Sequence, residues 1–218
     1  MAPPAAMLAA RGCLHWPQVA SAAAIAALRS SCTTASKPGQ RYACSSAFVT
    51  DALHVMQDIA SACCEGARPV RAVLFDKTPG SNWFVPWHQD RTIAVQQRVE
   101  LEGFGPWSVK DGMTHVEPPF AIMARMVTLR LHLDDCGPGN APLHVAFGSH
   151  HSRVAADDAG RIAAGSEQMA CVAQAGDVWA YATPIVHRSD RAVAPSRRRV
   201  LQVDFSPDQL AGGLAWLA

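Results

Sequence analysis

Between Arg125 and Asp134 the sequence alternates without a break. Met126, Thr128, Arg130, His132 and Asp134 occupy one set of positions, and Val127, Leu129, Leu131 and Leu133 the other. A period of two belongs to an extended strand, whose successive side chains point to opposite faces. The aliphatic face must lie on a core. The polar face suits a sheet whose other side looks into a barrel and lines a site there. This stretch therefore commits the chain to a β architecture with two unlike faces.

The neighbouring segments agree. Val70 to Phe75, the run from Trp83 into Asp90, Leu143 to Phe147, Val178 to Tyr181, Thr183 to His187 and Arg197 to Phe205 are short, rich in β-branched and aromatic residues, and separated by turn chemistry such as Lys77-Thr78-Pro79-Gly80 and Cys136-Gly137-Pro138-Gly139-Asn140. Two helices precede them. Residues 17–30 read as one, with Pro17 in its first turn and alanine through its body. Residues 46–64 read as the other, since Phe48, Ala52, Val55, Met56, Ile59, Ala60 and Cys63 recur at helical spacing and Ser45 or Ser46 is placed to cap it. Residues 31–44 are loop chemistry, 91–117 have little periodicity and read as a lid or substrate wall, and 152–170 as a surface loop or short helix. Helices followed by short strands indicate an antiparallel sandwich or barrel with helices covering one sheet. The whole, 1–218, reads as a single domain with a helical part at 1–69 and a β core at 70–205.

Composition narrows the function. A net charge of +1 gives no reason to expect nucleic acid or an acidic membrane as partner. No apolar run reaches membrane-spanning length. The seven cysteines have no zinc-like spacing, and the expectation is reduced thiols in a cytoplasmic protein. The first acidic residue is Asp51, with Arg11 and Arg29 among Ala and Ser; the reading preferred over a transit peptide is an alanine-rich mature helix.

The chemistry starts at His88 and Asp90. They stand two residues apart at the end of an apolar, aromatic run, so a strand would deliver an imidazole and a carboxylate to one point. That is two thirds of the 2-His-1-carboxylate set that holds ferrous iron with open positions. His187, ending another apolar strand about a hundred residues on, is the best third ligand. Eleven residues further, strand parity singles out Arg198. Leu201, Val203 and Phe205 share the face of Arg197 and Arg199, which should pack under the helices, so Arg198 points into the barrel with Val200 and Gln202. A guanidinium there can grip a carboxylate in a bidentate fork. His150 is read as a turn residue and His151, His144, His15 and His54 as surface or packing residues. His132 and His115 stay open as substrate contacts.

Taken in order, Leu74-Phe75-Asp76-Lys77, Trp87-His88-Gln89-Asp90, Asn140-Ala141-Pro142-Leu143 running to Gly148-Ser149-His150, Gly176-Asp177, and the pair His187 and Arg198 resemble the phytanoyl-CoA dioxygenase family over roughly 70–205. The resemblance implies a double-stranded β-helix (a cupin-like jelly roll) and an Fe(II)- and 2-oxoglutarate-dependent oxygenase. It implies that His88, Asp90 and His187 bind the iron, that Arg198 pairs with the distal carboxylate of 2-oxoglutarate, and that Ser189 assists that arginine. Lys77 and Trp107 match further co-substrate contacts more loosely. The implied reaction consumes O2, releases succinate and CO2, and hydroxylates a small organic substrate. Asp90 stands where a halogenating relative would need a small residue. The shortness of the chain argues against a bulky CoA thioester. Two other readings stay open: a metal-dependent cupin-type isomerase or lyase that uses no 2-oxoglutarate, and a binding protein of the same fold without turnover.

Overall fold

The computed structural model describes residues 2–32 and 39–217. Its strands are β1 (Cys13–Trp16), β2 (Gly39–Tyr42), β3 (Arg68–Lys77), β4 (Val85–Gln89), β5 (Ile93–Val95), β6 (Trp107–Lys110), β7 (Met113–Val116), β8 (Val127–His132), β9 (Leu143–Ala146), β10 (Gln168–Cys171), β11 (Val178–Ala182), β12 (Val186–Ser189) and β13 (Arg198–Ser206). The helices are α1 (Pro4–Arg11), α2 (Ala22–Ser31), α3 (Ala47–Cys63), α4 (Phe120–Met123) and α5 (Ala159–Ala164). Two antiparallel sheets face each other. The larger runs β1-β11-β8-β13-β3-β2 and the smaller β10-β9-β12-β4. Four strands of the first, β11-β8-β13-β3, and the four of the second make the double-stranded β-helix; β1 and β2 extend the larger sheet at its edges.

The alternation of β8 works as its sequence demands. Leu129 and Leu131 pack with Leu74, Leu201, Val203 and Phe205 on the outer face of the large sheet, and α3 covers that face with Phe48, Ala52, Met56 and Ile59. Thr128, Arg130 and His132 turn the other way and are also buried, because the small sheet closes over them. Ser46 precedes α3 in extended conformation but makes no side-chain cap.

Three expectations are corrected. The helix expected at 17–30 begins at Ala22, where Ser21 accepts a hydrogen bond from the Ala24 amide at 3.2 Å. Pro17 lies in the turn after β1, which pairs with β11, and α1 precedes it. The expected loop at 31–44 contains β2, paired with β3; residues 33–38 lie outside the described residues. The 91–117 segment is a third sheet, β5-β7-β6. It is held by an apolar cluster that draws Leu214 and Trp216 from the C-terminal tail, and Leu217 donates to Ala94 O at 3.2 Å. Strands of three or four residues are too short to show a period, and their apolar partners are remote in sequence.

Candidate active site

The small sheet brings the expected metal ligands together. β12 pairs with β4 so that His187 lies directly opposite His88, and their rings sit 4.3 Å apart. Asp90 follows His88 by two residues, one position past the end of β4. The donor atoms of His88, Asp90 and His187 all lie within 4.8 Å of one another.

Each imidazole is oriented by its own strand. His88 Nδ1 lies 2.9 Å from Pro86 O, and His187 Nδ1 lies 2.9 Å from Ile185 O. A carbonyl only accepts, so both Nδ1 atoms carry the proton and both Nε2 lone pairs are left for a ligand. Burial, and the nearness of His88, push the His187 pKa down to about 4, which keeps the ring neutral as ligation requires. Burial alone would raise the Asp90 carboxyl, but the guanidinium of Arg71, with His187 and His88, outweighs it and holds the group below the usual carboxylate range. Arg71 reaches Asp90 Oδ2 at 3.4 Å with one nitrogen and the buried Asp204 with another. Two neutral imidazoles and one anionic carboxylate, so presented, fit ferrous iron.

A cavity of about 240 Å³ opens between the sheets, with His88, Asp90, His187, Ser189 and Arg198 in its wall. Arg198 is only 2% exposed. One of its terminal nitrogens donates to Ala141 O at 2.5 Å, and its Nε has no protein partner. Ala141 holds a positive φ of 52° immediately before Pro142, a conformation costly for a residue with a Cβ. That turn aims one carbonyl at both Arg198 and the Ser189 hydroxyl, which lies 3.4 Å from it. Asn140 secures the turn by accepting from the Ser196 amide at 3.1 Å and donating to the Ser196 hydroxyl at 2.8 Å. The neighbours of Arg198 point outward. Arg197 forks onto Asp76 at 3.1 and 2.9 Å, and Arg199 onto Asp134 with both distances 2.8 Å.

Lys77 stands behind this wall. Its ammonium donates to Trp83 O and Asp190 O at 2.8 Å each and to Ser189 Oγ at 3.2 Å, so its three donors are spent on protein. Burial, and then the charge of Arg198, lower its pKa to about 8. Trp107 is not brought to the cavity. It lies on β6 against the apolar cluster that holds the β5-β7-β6 sheet, with the Arg98 guanidinium 5.5 Å from its ring centre. His115 and His132 are buried and outside the cavity wall as well. His150 Nε2 lies 3.1 Å from Ala9 O, away from the three ligands. The 91–117 segment does supply wall residues, Thr92 and Lys110. Sequence reading passed over Arg71, and it placed Arg130 on the inward polar face without giving it a role. Both sit on inward positions of alternating strands, and that parity was the available signal.

Residues 9–200 match the family model described as Phytanoyl-CoA dioxygenase (PhyH). No curated protein matches the sequence. Solved structures share the fold across nearly the whole chain. AviO1 from Streptomyces viridochromogenes Tue57 is 20% identical with a TM-score of 0.66, covering 97% of this chain and 96% of that one. The non-heme alpha ketoglutarate dependent carbocyclase SnoK from nogalamycin biosynthesis is 17% identical with a TM-score of 0.69, covering 94% and 84%. HygX from Streptomyces hygroscopicus with nickel and 2-oxoglutarate bound is 15% identical with a TM-score of 0.62, covering 93% and 85%. At these identities the likeness is one of fold.

Proposed function

Because this chain belongs to the phytanoyl-CoA dioxygenase family, we propose that it is an iron(II)- and 2-oxoglutarate-dependent oxygenase that hydroxylates a small organic molecule and releases succinate and CO2. The observation that carries the reading is the convergence of His88, Asp90 and His187 in the wall of the same cavity as the buried Arg198. Bound ferrous iron supplies open positions for the 2-oxo acid and O2, and the oxidising power to attack a C–H bond.

The chain's own residues do the rest. His88 and His187 present Nε2, Asp90 contributes the one anionic ligand, and Arg71 fixes its orientation. Arg198 receives the distal carboxylate of the co-substrate in a site that excludes water, with Ser189 beside it. Lys77 acts through Ser189.

The test is an anaerobic titration with Fe(II) and 2-oxoglutarate, followed by admission of oxygen and assay for succinate. Iron-dependent succinate release is expected. A protein that binds iron yet never decarboxylates 2-oxoglutarate would favour the cupin-type isomerase or lyase, in which Arg198 has no co-substrate to hold. Product mass then separates hydroxylation, which adds one oxygen, from ring closure, which removes two hydrogens.

A further inference from the structure

Arg130 is a second buried guanidinium in the same cavity, and the oxygenase reading as stated gives it nothing to do. It projects from the inner face of β8, is 6% exposed, and lines the wall with Arg198. One terminal nitrogen donates to Gln202 Oε1 at 2.9 Å, and its Nε has no protein partner. Among the described residues no carboxylate pairs with it. Arg71, which does reach Asp90, is bound to both Asp204 and Asp90. A buried cation without a counter-charge is expensive, and a fold that keeps one is built to receive an anion.

Its place along the barrel says which anion. On the inner face of β13 the order is Arg198, Gln202, Asp204. Four residues of strand put about 13 Å between the Cα atoms of the first two. Gln202 stands directly opposite Arg130 in the β13–β8 register. Gln202 also accepts from the Tyr181 hydroxyl at 3.2 Å, and the Tyr181 ring lies 5.7 Å from that of His187. Asp204 leads through Arg71 to Asp90. Arg130 is thus linked through Gln202 and Tyr181 to the His187 ring, and its guanidinium carbon lies 5.3 Å from the centre of the Phe75 ring. A dicarboxylate running from the metal to Arg198 lies in a cavity whose wall holds Arg130 as well.

We propose that Arg130 is a second anchor for the co-substrate, binding the carboxylate next to the keto group while Arg198 binds the far one. This rests on the oxygenase reading above. Two inward guanidinia without acidic partners then match the two carboxylates of 2-oxoglutarate. The mouth residues are left to the substrate.

The experiment is a calorimetric titration of the nickel-loaded protein, which binds without turnover. The probes are 2-oxoglutarate, 2-oxopentanoate (which lacks the far carboxylate) and levulinate (which lacks the near one). Arg130→Gln should weaken 2-oxoglutarate and 2-oxopentanoate by at least about thirtyfold and leave levulinate unchanged. Arg198→Gln should weaken 2-oxoglutarate and levulinate and leave 2-oxopentanoate unchanged. Wild-type affinity for 2-oxoglutarate in Arg130→Gln overturns the inference alone and leaves the guanidinium to the substrate. Equal weakening of all three probes also overturns it. Failure of the wild-type protein to bind 2-oxoglutarate overturns the oxygenase reading itself. Arg130→Met, matched in bulk, guards against a folding artefact. Neither variant should melt lower than wild type, since each removes an unpaired buried charge; a large drop in both assigns Arg130 a structural role and overturns the proposal.

Discussion

One position along a strand separates Arg198 from two arginines of identical chemistry. Arg197 and Arg199 fork onto Asp76 and Asp134 on the outer face, while Arg198 turns inward, where its Nε meets no protein acceptor. Arg198→Ala should therefore weaken 2-oxoglutarate binding by about 2–5 kcal/mol, the range for breaking a buried charge pair. Arg197→Ala and Arg199→Ala should leave that affinity close to wild type and show their loss in stability; three similar affinities would sink the parity argument. The ligands make a second test. Asp90→Ala removes the one anionic group of the proposed ligand set and leaves Arg71 to Asp204 alone, so metal content should collapse along with succinate formation. His150→Ala is its control. That ring contacts Ala9 O, so the variant should keep its metal and most turnover while losing some stability. An iron-free His150 variant, or an active His187→Ala enzyme, would show the third ligand to be misassigned. The clustering of His88 with Asp90 was readable because strand spacing alone brings them to one face. The pairing of His187 opposite His88 was readable only as two strand ends of similar character.

Among elements, β8 and α3 were legible because each carries its period over enough residues to be unambiguous. Six residues of alternation, or seventeen of helix, leave one way to bury the apolar set. Met56 is the centre of that packing, with no exposed surface. Met56→Ala should cost about 2–5 kcal/mol in a denaturant titration, as large-to-small changes in a close-packed core do. A cost below about 1 kcal/mol would mean that α3 lies loosely on the sheet. β1, β2 and the β5-β7-β6 sheet were illegible for the opposite reason. None exceeds four residues, and β1, β2 and β5 meet distant partners, since Cys13 meets Tyr181, Gly39 meets Phe75, and Val95 meets Trp216, whereas β6 and β7 form a local hairpin across Asp111-Gly112. A stretch rich in glycine and proline looked like a lid although its Asp111-Gly112 turn, with both φ angles positive, is a local hairpin signal; only the joining of that hairpin to β5 and the C-terminal tail lies outside any local window.

For the molecule as a whole, closing one sheet over the other traps titratable groups as well as apolar ones. Burial pushes His132 well below its ordinary pKa, with Arg130 and Arg198 adding to the effect, and burial also lowers His115 and His150. The unfolded chain takes up protons on these rings below about pH 6.5 while the folded one resists. Stability is thus full above that pH and falls as the solution is acidified, by up to about 1.4 kcal/mol per pH unit for each histidine kept neutral. Urea denaturation of metal-free protein at pH 7.5, 6 and 5 should show the decline, and His132→Phe should flatten it; a level profile across that range would contradict it. Asp134 and Asp177, held below the usual carboxylate range by their partners despite burial, extend the loss below about pH 4. The same closure divides what sequence and structure each decide. The β architecture, the covering helix, the inward face of Arg198 and the His88–Asp90 pair follow from periodicity, which is local and written in residue order. That Trp107 lies away from the cavity, that Lys77 is spent behind Ser189, and that Arg71 and Arg130 share the cavity wall with His88, Asp90 and His187 depend on which strands become neighbours. Strand pairing is a long-range choice, and only the folded chain contains it.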